Sequence, residues 1–167
     1  MIVSISEKDI IDAAQKSSDA FVDLVAQKTL QAIGGQLTAD TMPSLTADQI
    51  TLLAYQILKQ EVMEGGFIQL IHNGYGSFIF LNPFAKAMRL VGAKELTDLI
   101  YEGRKLFEKY GDELTGDCTD EEFMALYEQY EEFDELDDAF IEMEPEVTDI
   151  LAHYIDERID KFVKVEK

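Results

Sequence analysis

The sequence predicts an all-α fold: a single compact multi-helix domain of about seven to nine helices over residues 1-167. Apolar residues recur at steps of three and four through most of the chain, as they do on one face of an α-helix. Capping signals begin these segments, and glycine or proline separates them. The chain is 47% hydrophobic, which favours a globular core over a disordered acidic chain. With no long apolar run and no secretory leader, we expect a cytoplasmic protein with no membrane association.

The N-terminal third begins and ends its helices at recognisable signals. Ser6 has the position of a helix cap before two acidic residues. The polar residues around Ser17-Ser18 allow either one long helix or two, and Gly34-Gly35 ends this region. Residues 46–49 (Thr-Ala-Asp-Gln) have the form of a capping box, in which the side chains at both ends satisfy backbone N–H groups. The helix that begins there runs to Gly65-Gly66.

The Gly65-Gly66 pair is the most specific local signal in the chain. Glycine tolerates positive φ and allows close backbone approach, so the pair predicts a joint between two core helices. An apolar face restarts at Phe67 immediately after it. The residues that we group as the structural motif of this joint are Glu61, Gly65, Gly66, Phe67, Gln69 and Asn73.

The helices after the joint are predicted from shorter signals. Residues 78–81 (Phe-Ile-Phe-Leu) fit either a strand or a buried helical turn. Asn82-Pro83 predicts a helix start, with Asn82 as the cap and Pro83 in the first helical position, and Gly92 ends that helix. A further helix is predicted from Glu95 to Tyr110, with Gly111 ending it.

The C-terminal third shows one more capping box and two breaks. Thr119-Asp120-Glu121-Glu122 repeats the capping-box pattern, and Phe123 and Tyr127 mark a buried face behind it. A break is predicted near Phe133-Asp134. Pro145 is predicted to end one segment and to lie in the first turn of the last helix, because proline cannot donate a backbone hydrogen bond.

The charge balance points to the class of partner. Fourteen basic residues stand against 34 acidic ones, a net charge of -20, so the chain should repel nucleic acid directly and bind basic proteins. Residues 112–149, the acidic helical segment, contain 17 of the acids and neither lysine nor arginine. If one helix continued through this segment, acids three and four residues apart would lie about 5–6 Å from each other. Such a row resembles the phosphates that position a DNA-binding protein. The predicted partner-binding residues are Glu128, Glu131, Glu135, Asp138, Glu142 and Glu146.

Catalytic and metal sites are not predicted. His72 has the position of a helix-end residue beside a turn. His153 shares a predicted helix face with Asp149 and Glu157, which is more typical of a solvated surface than of a metal site. Acidic neighbours around Cys118 disfavour a reactive thiolate. We therefore expect no enzyme activity, no cofactor and no bound metal, and the sequence assigns neither histidine a role.

Three stretches, Glu61–Asn73, Ala87–Ala93 and Leu136–Phe140, resemble the bacterial DNA-mimic protein family, and the similarity extends over about residues 46-163. The family usually has two polar amides before the glycines, where this chain has Met63 and Glu64, so those two positions receive no role. The resemblance implies an all-helical fold, a homodimer, no catalytic activity and occupation of the DNA-binding face of a transcription regulator. Two alternatives stay open: an immunity-type inhibitor of a basic nuclease toxin, and a helical protein whose acidic face has no nucleic-acid-related role.

Overall fold

The computed structural model describes residues 1–167 and is all-α, with nine α-helices, one short 3-10 helix and one pair of strands. The helices are α1 (Glu7–Lys16), α2 (Ser18–Ala32), α3 (Ala47–His72), α4 (Gly76–Phe80), α5 (Phe84–Val91), α6 (Lys94–Leu114), α7 (Asp120–Gln129), α8 (Phe133–Glu157) and α9 (Ile159–Phe162), with the 3-10 helix at Met42–Ser44. The strands are β1 (Ser4–Ser6) and β2 (Lys164–Glu166). None of the helices combines the length and the hydropathy that crossing a membrane requires.

The two strands are the part of the fold that the sequence pattern did not indicate. They pair in parallel, with Ile5 opposite Val165, and Ile5 is only 2% exposed. A three-residue strand contains one alternation at most, which is too short for a period of two to be recognised.

The chain forms two compact units, and helices α3 and α8 contribute residues to both. The first unit comprises Met1–Gln56 and Pro145–Lys167. At its start, the Ser6 side chain accepts a hydrogen bond from the Asp9 N–H (3.1 Å). Ser17 then ends α1 and caps α2 by accepting from the Ala20 N–H (2.9 Å). The alternative of two helices with a break at this serine is therefore correct.

The predicted capping box at the start of α3 is confirmed. The Gln49 N–H donates to Thr46 Oγ1 (3.1 Å), and the Thr46 N–H donates to Gln49 Oε1 (2.9 Å). Gln49 is 1% exposed, and its amide also donates to the Phe162 carbonyl oxygen (3.0 Å). In the core of this unit, the hydroxyls of Tyr55 and Thr148 share a hydrogen bond of 2.7 Å.

The second unit, Ile57–Glu144, has an aromatic core. The Phe67 ring lies 5.7 Å from Phe80 and 6.5 Å from Phe140, measured between ring centroids. Phe80 belongs to α4, so the apolar run at residues 78–81 is a buried helical turn rather than a strand. A partly buried ion pair, Lys59 Nζ to Glu144 Oε1 at 3.0 Å, lies in the same unit.

Two predicted helix boundaries are wrong, although the helices themselves exist. Asn82 does not cap α5: the Asn82-Pro83 peptide is cis, Pro83 occupies the cap position without a side-chain hydrogen bond, and the helix begins at Phe84. Gly111 does not end α6, which continues to Leu114. A Cβ atom at Gly111 would lie 2.9 Å from the Phe107 ring, so glycine here allows close packing rather than a helix end.

Pro145 neither ends one helix nor begins another, because α8 continues through it from Phe133 to Glu157. An interior proline removes one backbone donor and usually bends or breaks a helix. In this chain the buried face continues beyond the proline, with Val147 at 2% and Leu151 at 1% exposure. Burial of that apolar face offsets the loss of one hydrogen bond.

Candidate acidic binding surface

The acidic helical segment holds most of its carboxylates in solvent. Of its 17 acidic residues, 15 are exposed. The two exceptions, Asp137 and Glu144, are partly buried and bind groups within the protein, the Phe67 N–H and the Lys59 ammonium. Buried hydrophobic residues alternate with the exposed acids, among them Phe133, Leu136 and Phe140 at 0%, 8% and 0% exposure. The negative charge is therefore displayed by folded helices.

The six residues predicted to bind a partner, which we call the acidic stripe, are all exposed but do not lie on one helix. Glu128 belongs to α7, and Glu131 lies in the turn that separates α7 from α8. The remaining four, Glu135, Asp138, Glu142 and Glu146, belong to α8, although Glu146 falls in the first compact unit. No single helix runs from Glu128 to Glu146, so only the four acids from Glu135 onward have regular helical spacing.

Two tyrosines tie this turn to α6. The Tyr110 hydroxyl donates to Glu132 Oε1, and the Tyr130 hydroxyl donates to Glu113 Oε2. The two rings also contact each other, with centroids 5.0 Å apart. The hydrogen bond to Glu113 raises the pKa of Tyr130 above its ordinary value, so this phenol stays protonated as a donor. Glu113 and Glu132 thus help to fix the turn in addition to contributing charge.

The acids at the start of α7 have a local structural explanation. The predicted capping box is confirmed: the Glu122 N–H donates to Thr119 Oγ1 (3.1 Å), and the Thr119 N–H donates to Glu122 Oε1 (3.3 Å). Asp120 and Glu121 lie in the first turn, where negative charge interacts favourably with the helix dipole. Glu135 has the same explanation, because it lies in the first turn of α8, whereas Asp138 and Glu142 lie further along that helix.

The Gly65-Gly66 joint is a kink inside α3. Gly65 has φ −153° and ψ 16°, and Gly66 has φ 73° and ψ −177°, so helical geometry is interrupted at both. On one side of the kink, Glu61 Oε2 accepts hydrogen bonds from Gln69 Nε2 (2.8 Å) and Asn73 Nδ2 (3.0 Å). The structure thus brings the motif residues together, with a single carboxylate bridging the two halves of the helix.

The other side of the kink is held by α7 and α8. The Tyr127 hydroxyl donates to the Gly65 carbonyl oxygen (2.6 Å), and Asp137 Oδ1 accepts from the Phe67 N–H (2.8 Å). A Cβ atom at Gly66 would lie 2.4 Å from Asp137 Oδ2. Asp137 therefore caps the second half of α3 from a distant helix. A residue directly before the helix normally accepts such a hydrogen bond.

The pKa of the Asp137 carboxyl is raised to about 6, mainly by burial and in smaller part by the charges of Asp134 and Asp138, while the hydrogen bond from the Phe67 N–H opposes the shift. Sequence reasoning placed Asp137 among the surface acids and missed this role. A signal was present: residue 137 lies four residues after Phe133 and three before Phe140, which is the spacing of the buried face of α8.

The residues without an assigned role occupy ordinary positions. Met63 is 42% exposed, and Glu64 Oε2 lies 3.3 Å from the donating Gln69 Nε2. His72 Nδ1 donates to the Leu114 carbonyl oxygen (2.9 Å). His153 is exposed, and a hydrogen bond to the Asp149 backbone, aided by nearby carboxylates, raises its pKa. Nowhere do three or more histidine, cysteine or acidic side chains come together in a way that could hold a metal ion.

The fold and the exposed carboxylates of residues 112–149 define a class of acidic, all-helical proteins. Comparison with known proteins makes this more specific. The model of the family described as DMP19-like protein matches residues 43–158. The DNA mimic protein DMP19 of Neisseria meningitidis serogroup B (strain ATCC BAA-335 / MC58) is 32% identical over 127 residues, which cover 75% of this chain and 77% of the relative. The chain belongs to the DMP19-like family, and the resemblance stated from its motifs is confirmed.

Proposed function

We propose that this protein binds the DNA-binding face of a basic DNA-binding protein, such as a transcription regulator, and keeps DNA off it. The observation that carries the proposal is the display of 15 exposed carboxylates, with no lysine or arginine, on the helices and turns of residues 112–149. A basic protein surface that accepts a row of phosphates can accept such carboxylates, because phosphate contacts depend on charge and position rather than on base sequence.

Membership of the DMP19-like family supports the same reading, since the relative from Neisseria meningitidis is described as a DNA mimic. Rigidity adds a physical argument. The tyrosine hydrogen bonds to Glu113 and Glu132 hold the turn in place, so its carboxylates lose little conformational freedom when a partner binds. Binding by preorganised charge should be fast and strongly dependent on salt.

The proposal includes three further statements. The protein performs no catalytic step and acts in the cytoplasm, where its DNA-binding partner works.

It forms a homodimer, as the family resemblance implies. Four large hydrophobic side chains of the second unit, Met63, Leu90, Met124 and Ile141, are 42%, 81%, 63% and 49% exposed and are of the kind that a dimer interface buries. Sedimentation equilibrium tests this statement, and a monomer at all concentrations would contradict it.

The first experiment is affinity capture from nuclease-treated cytosol, followed by elution with duplex DNA. We expect a basic DNA-binding protein that duplex DNA displaces. If the retained protein is a nuclease toxin whose activity is blocked, the immunity-type alternative is correct instead. If nothing specific is retained, or duplex DNA displaces nothing, the acidic face has no nucleic-acid-related role.

The second experiment reverses charge in the acidic stripe. Glu135→Lys with Asp138→Lys should weaken binding to the captured partner by at least about tenfold, which is about 1.4 kcal/mol, without unfolding the protein. Glu95→Lys with Asp98→Lys is the matched control, because these acids are also exposed, three residues apart on one helix, and lie outside the acidic segment. Equal weakening by both pairs would mean that only net charge matters and not the acidic stripe.

A further inference from the structure

A groove beside the acidic stripe combines charge with an apolar wall. It lies between α6 and the start of α8, entirely within the second unit, and encloses about 630 Å³. Two leucines, four glutamates and one lysine line it. The groove thus differs from the rest of the acidic segment, because it offers a concave apolar surface together with carboxylates.

The carboxylates of the groove differ in whether they already have a partner. The groove contains one lysine, Lys105, whose Nζ lies 3.3 Å from Glu102 Oε1. Glu132 accepts the hydrogen bond from the Tyr110 hydroxyl. Glu131 and Glu135 are exposed members of the acidic stripe that form no ion pair within the chain. With four acids and one base, the lining has a net charge of −3, so a cation is the complementary occupant.

The apolar wall limits which kind of cationic side chain fits the groove. Leu106, which is partly buried, and Leu136, which is 8% exposed, both line the groove. An occupant must place an apolar stem against the leucines and a charge near Glu131 and Glu135. Arginine does both, because its methylene chain packs on apolar surface and its planar guanidinium binds carboxylates through two parallel hydrogen bonds. Lysine offers a similar stem but only a strongly hydrated point charge.

We propose that this groove receives an arginine side chain from the basic partner, with the stem on Leu106 and Leu136 and the guanidinium between Glu131 and Glu135. The inference rests on the proposed function, because that arginine belongs to the partner surface that would otherwise contact DNA phosphate. A phosphate row has no apolar wall. The groove therefore gives the protein a preference for partners with a suitably placed arginine, which charge resemblance to DNA alone would not supply.

The test uses a short capped oligo-arginine peptide and the oligo-lysine peptide of equal length, at about 150 mM salt to screen non-specific attraction. Methyl NMR spectra report binding at Leu106 and Leu136. We expect these methyl signals to shift with the arginine peptide and to move at least about threefold less with the lysine peptide. Similar shifts with both peptides, or shifts confined to other methyl groups, would overturn the proposal.

Matched variants separate the groove from general acidity. Glu131→Gln with Glu135→Gln should weaken arginine-peptide binding by about tenfold. Asp138→Asn with Glu142→Gln removes the same charge at the same four-residue spacing outside the groove and should weaken it by less than about threefold. Equal weakening by both pairs would refute an arginine site.

The same variants distinguish failure of the groove from failure of the proposed function. If the captured DNA-binding protein loses affinity equally for both double variants, the acidic surface is the interface but the groove is not an arginine site. If the arginine peptide binds the groove as expected while no DNA-displaceable partner is retained, the groove assignment stands and the proposed function fails.

Discussion

Replacing Asp137 with asparagine should remove a specific part of the pH dependence of stability. Burial raises the pKa of Asp137 from 3.8 to about 6 in the folded protein. The folded state therefore holds this proton more tightly than the unfolded chain does. The resulting stabilisation is complete below about pH 4 and is lost as the pH rises through about 6, so this carboxyl favours folding more at pH 5 than at pH 7.5.

The magnitude follows from the size of the shift. At about pH 5, one unit below the folded pKa, the contribution is about 1.4 kcal/mol, and at about pH 7.5 it is close to zero. The carboxyl is partly exposed, so solvent screening lowers the expected difference to about 1 kcal/mol. The charged and titratable groups that act on it are Asp134 and Asp138 on α8 and Tyr127 on α7, whose pKa is raised mainly by burial and then by the Asp137 charge.

Urea unfolding, followed by circular dichroism at both pH values, measures this difference. The Asp137→Asn variant keeps an oxygen that can accept from the Phe67 N–H but cannot ionise. Between about pH 7.5 and pH 5, the free energy of unfolding of the wild type should therefore rise by about 1 kcal/mol more than that of the variant. Glu142→Gln removes one charge at an exposed residue of α8 that is not among the groups acting on Asp137, and it should follow the wild type. Parallel pH profiles for wild type and Asp137→Asn would refute the assigned burial of this carboxyl.

Three further substitutions test the fold. Gly66→Ala should destabilise by about 2 kcal/mol or more in urea unfolding, because residue 66 has φ 73° and its Cβ would approach Asp137 Oδ2 to 2.4 Å; an unchanged midpoint would contradict the kink. Tyr55→Phe should lower the free energy of unfolding by about 1–2 kcal/mol, since it removes the buried hydrogen bond to Thr148; a neutral result would show that this bond contributes nothing net. Pro145→Ala should raise the melting temperature, because it restores a backbone donor inside α8; a lower value would mean that the helix requires the proline.

Residues that act through neighbours in the sequence were predictable. The capping boxes at Thr46–Gln49 and Thr119–Glu122 need only four residues each, and both form as expected. The kink at Gly65-Gly66 was likewise visible, because Gly66 adopts φ 73°, a backbone conformation that favours glycine.

Residues that act through distant contacts were not predictable from local pattern. Gly111 resembles a helix end in the sequence, but the Phe107 ring packs across it inside α6. Pro145 resembles a helix boundary, but the buried face on both sides keeps α8 intact. The spacing of Asp137 from Phe133 and Phe140 indicates the buried face of α8, but only the fold places the Phe67 N–H beside it.

The binding role of the acidic stripe stays a prediction. Exposure of all six carboxylates agrees with a surface role, because each lies away from the apolar face of its helix or in a turn. A continuous helix was only a condition, and a break was predicted near Phe133-Asp134. The structure has a turn at Tyr130–Glu132, directly before α8 begins at Phe133. Charge spacing alone does not locate the turn, and the contact between the rings of Tyr110 and Tyr130 joins it to α6.

Direct competition between this protein and duplex DNA for one captured DNA-binding partner tests the central claim most directly. The partner is titrated with labelled duplex DNA at several salt concentrations, with and without this protein. The account predicts that the protein displaces DNA competitively and that its affinity falls steeply with salt. Glu135→Lys with Asp138→Lys should weaken the displacement by at least about tenfold, while Glu95→Lys with Asp98→Lys should not. Simultaneous binding of protein and DNA to the partner, or displacement that the stripe variant leaves unchanged, would contradict it.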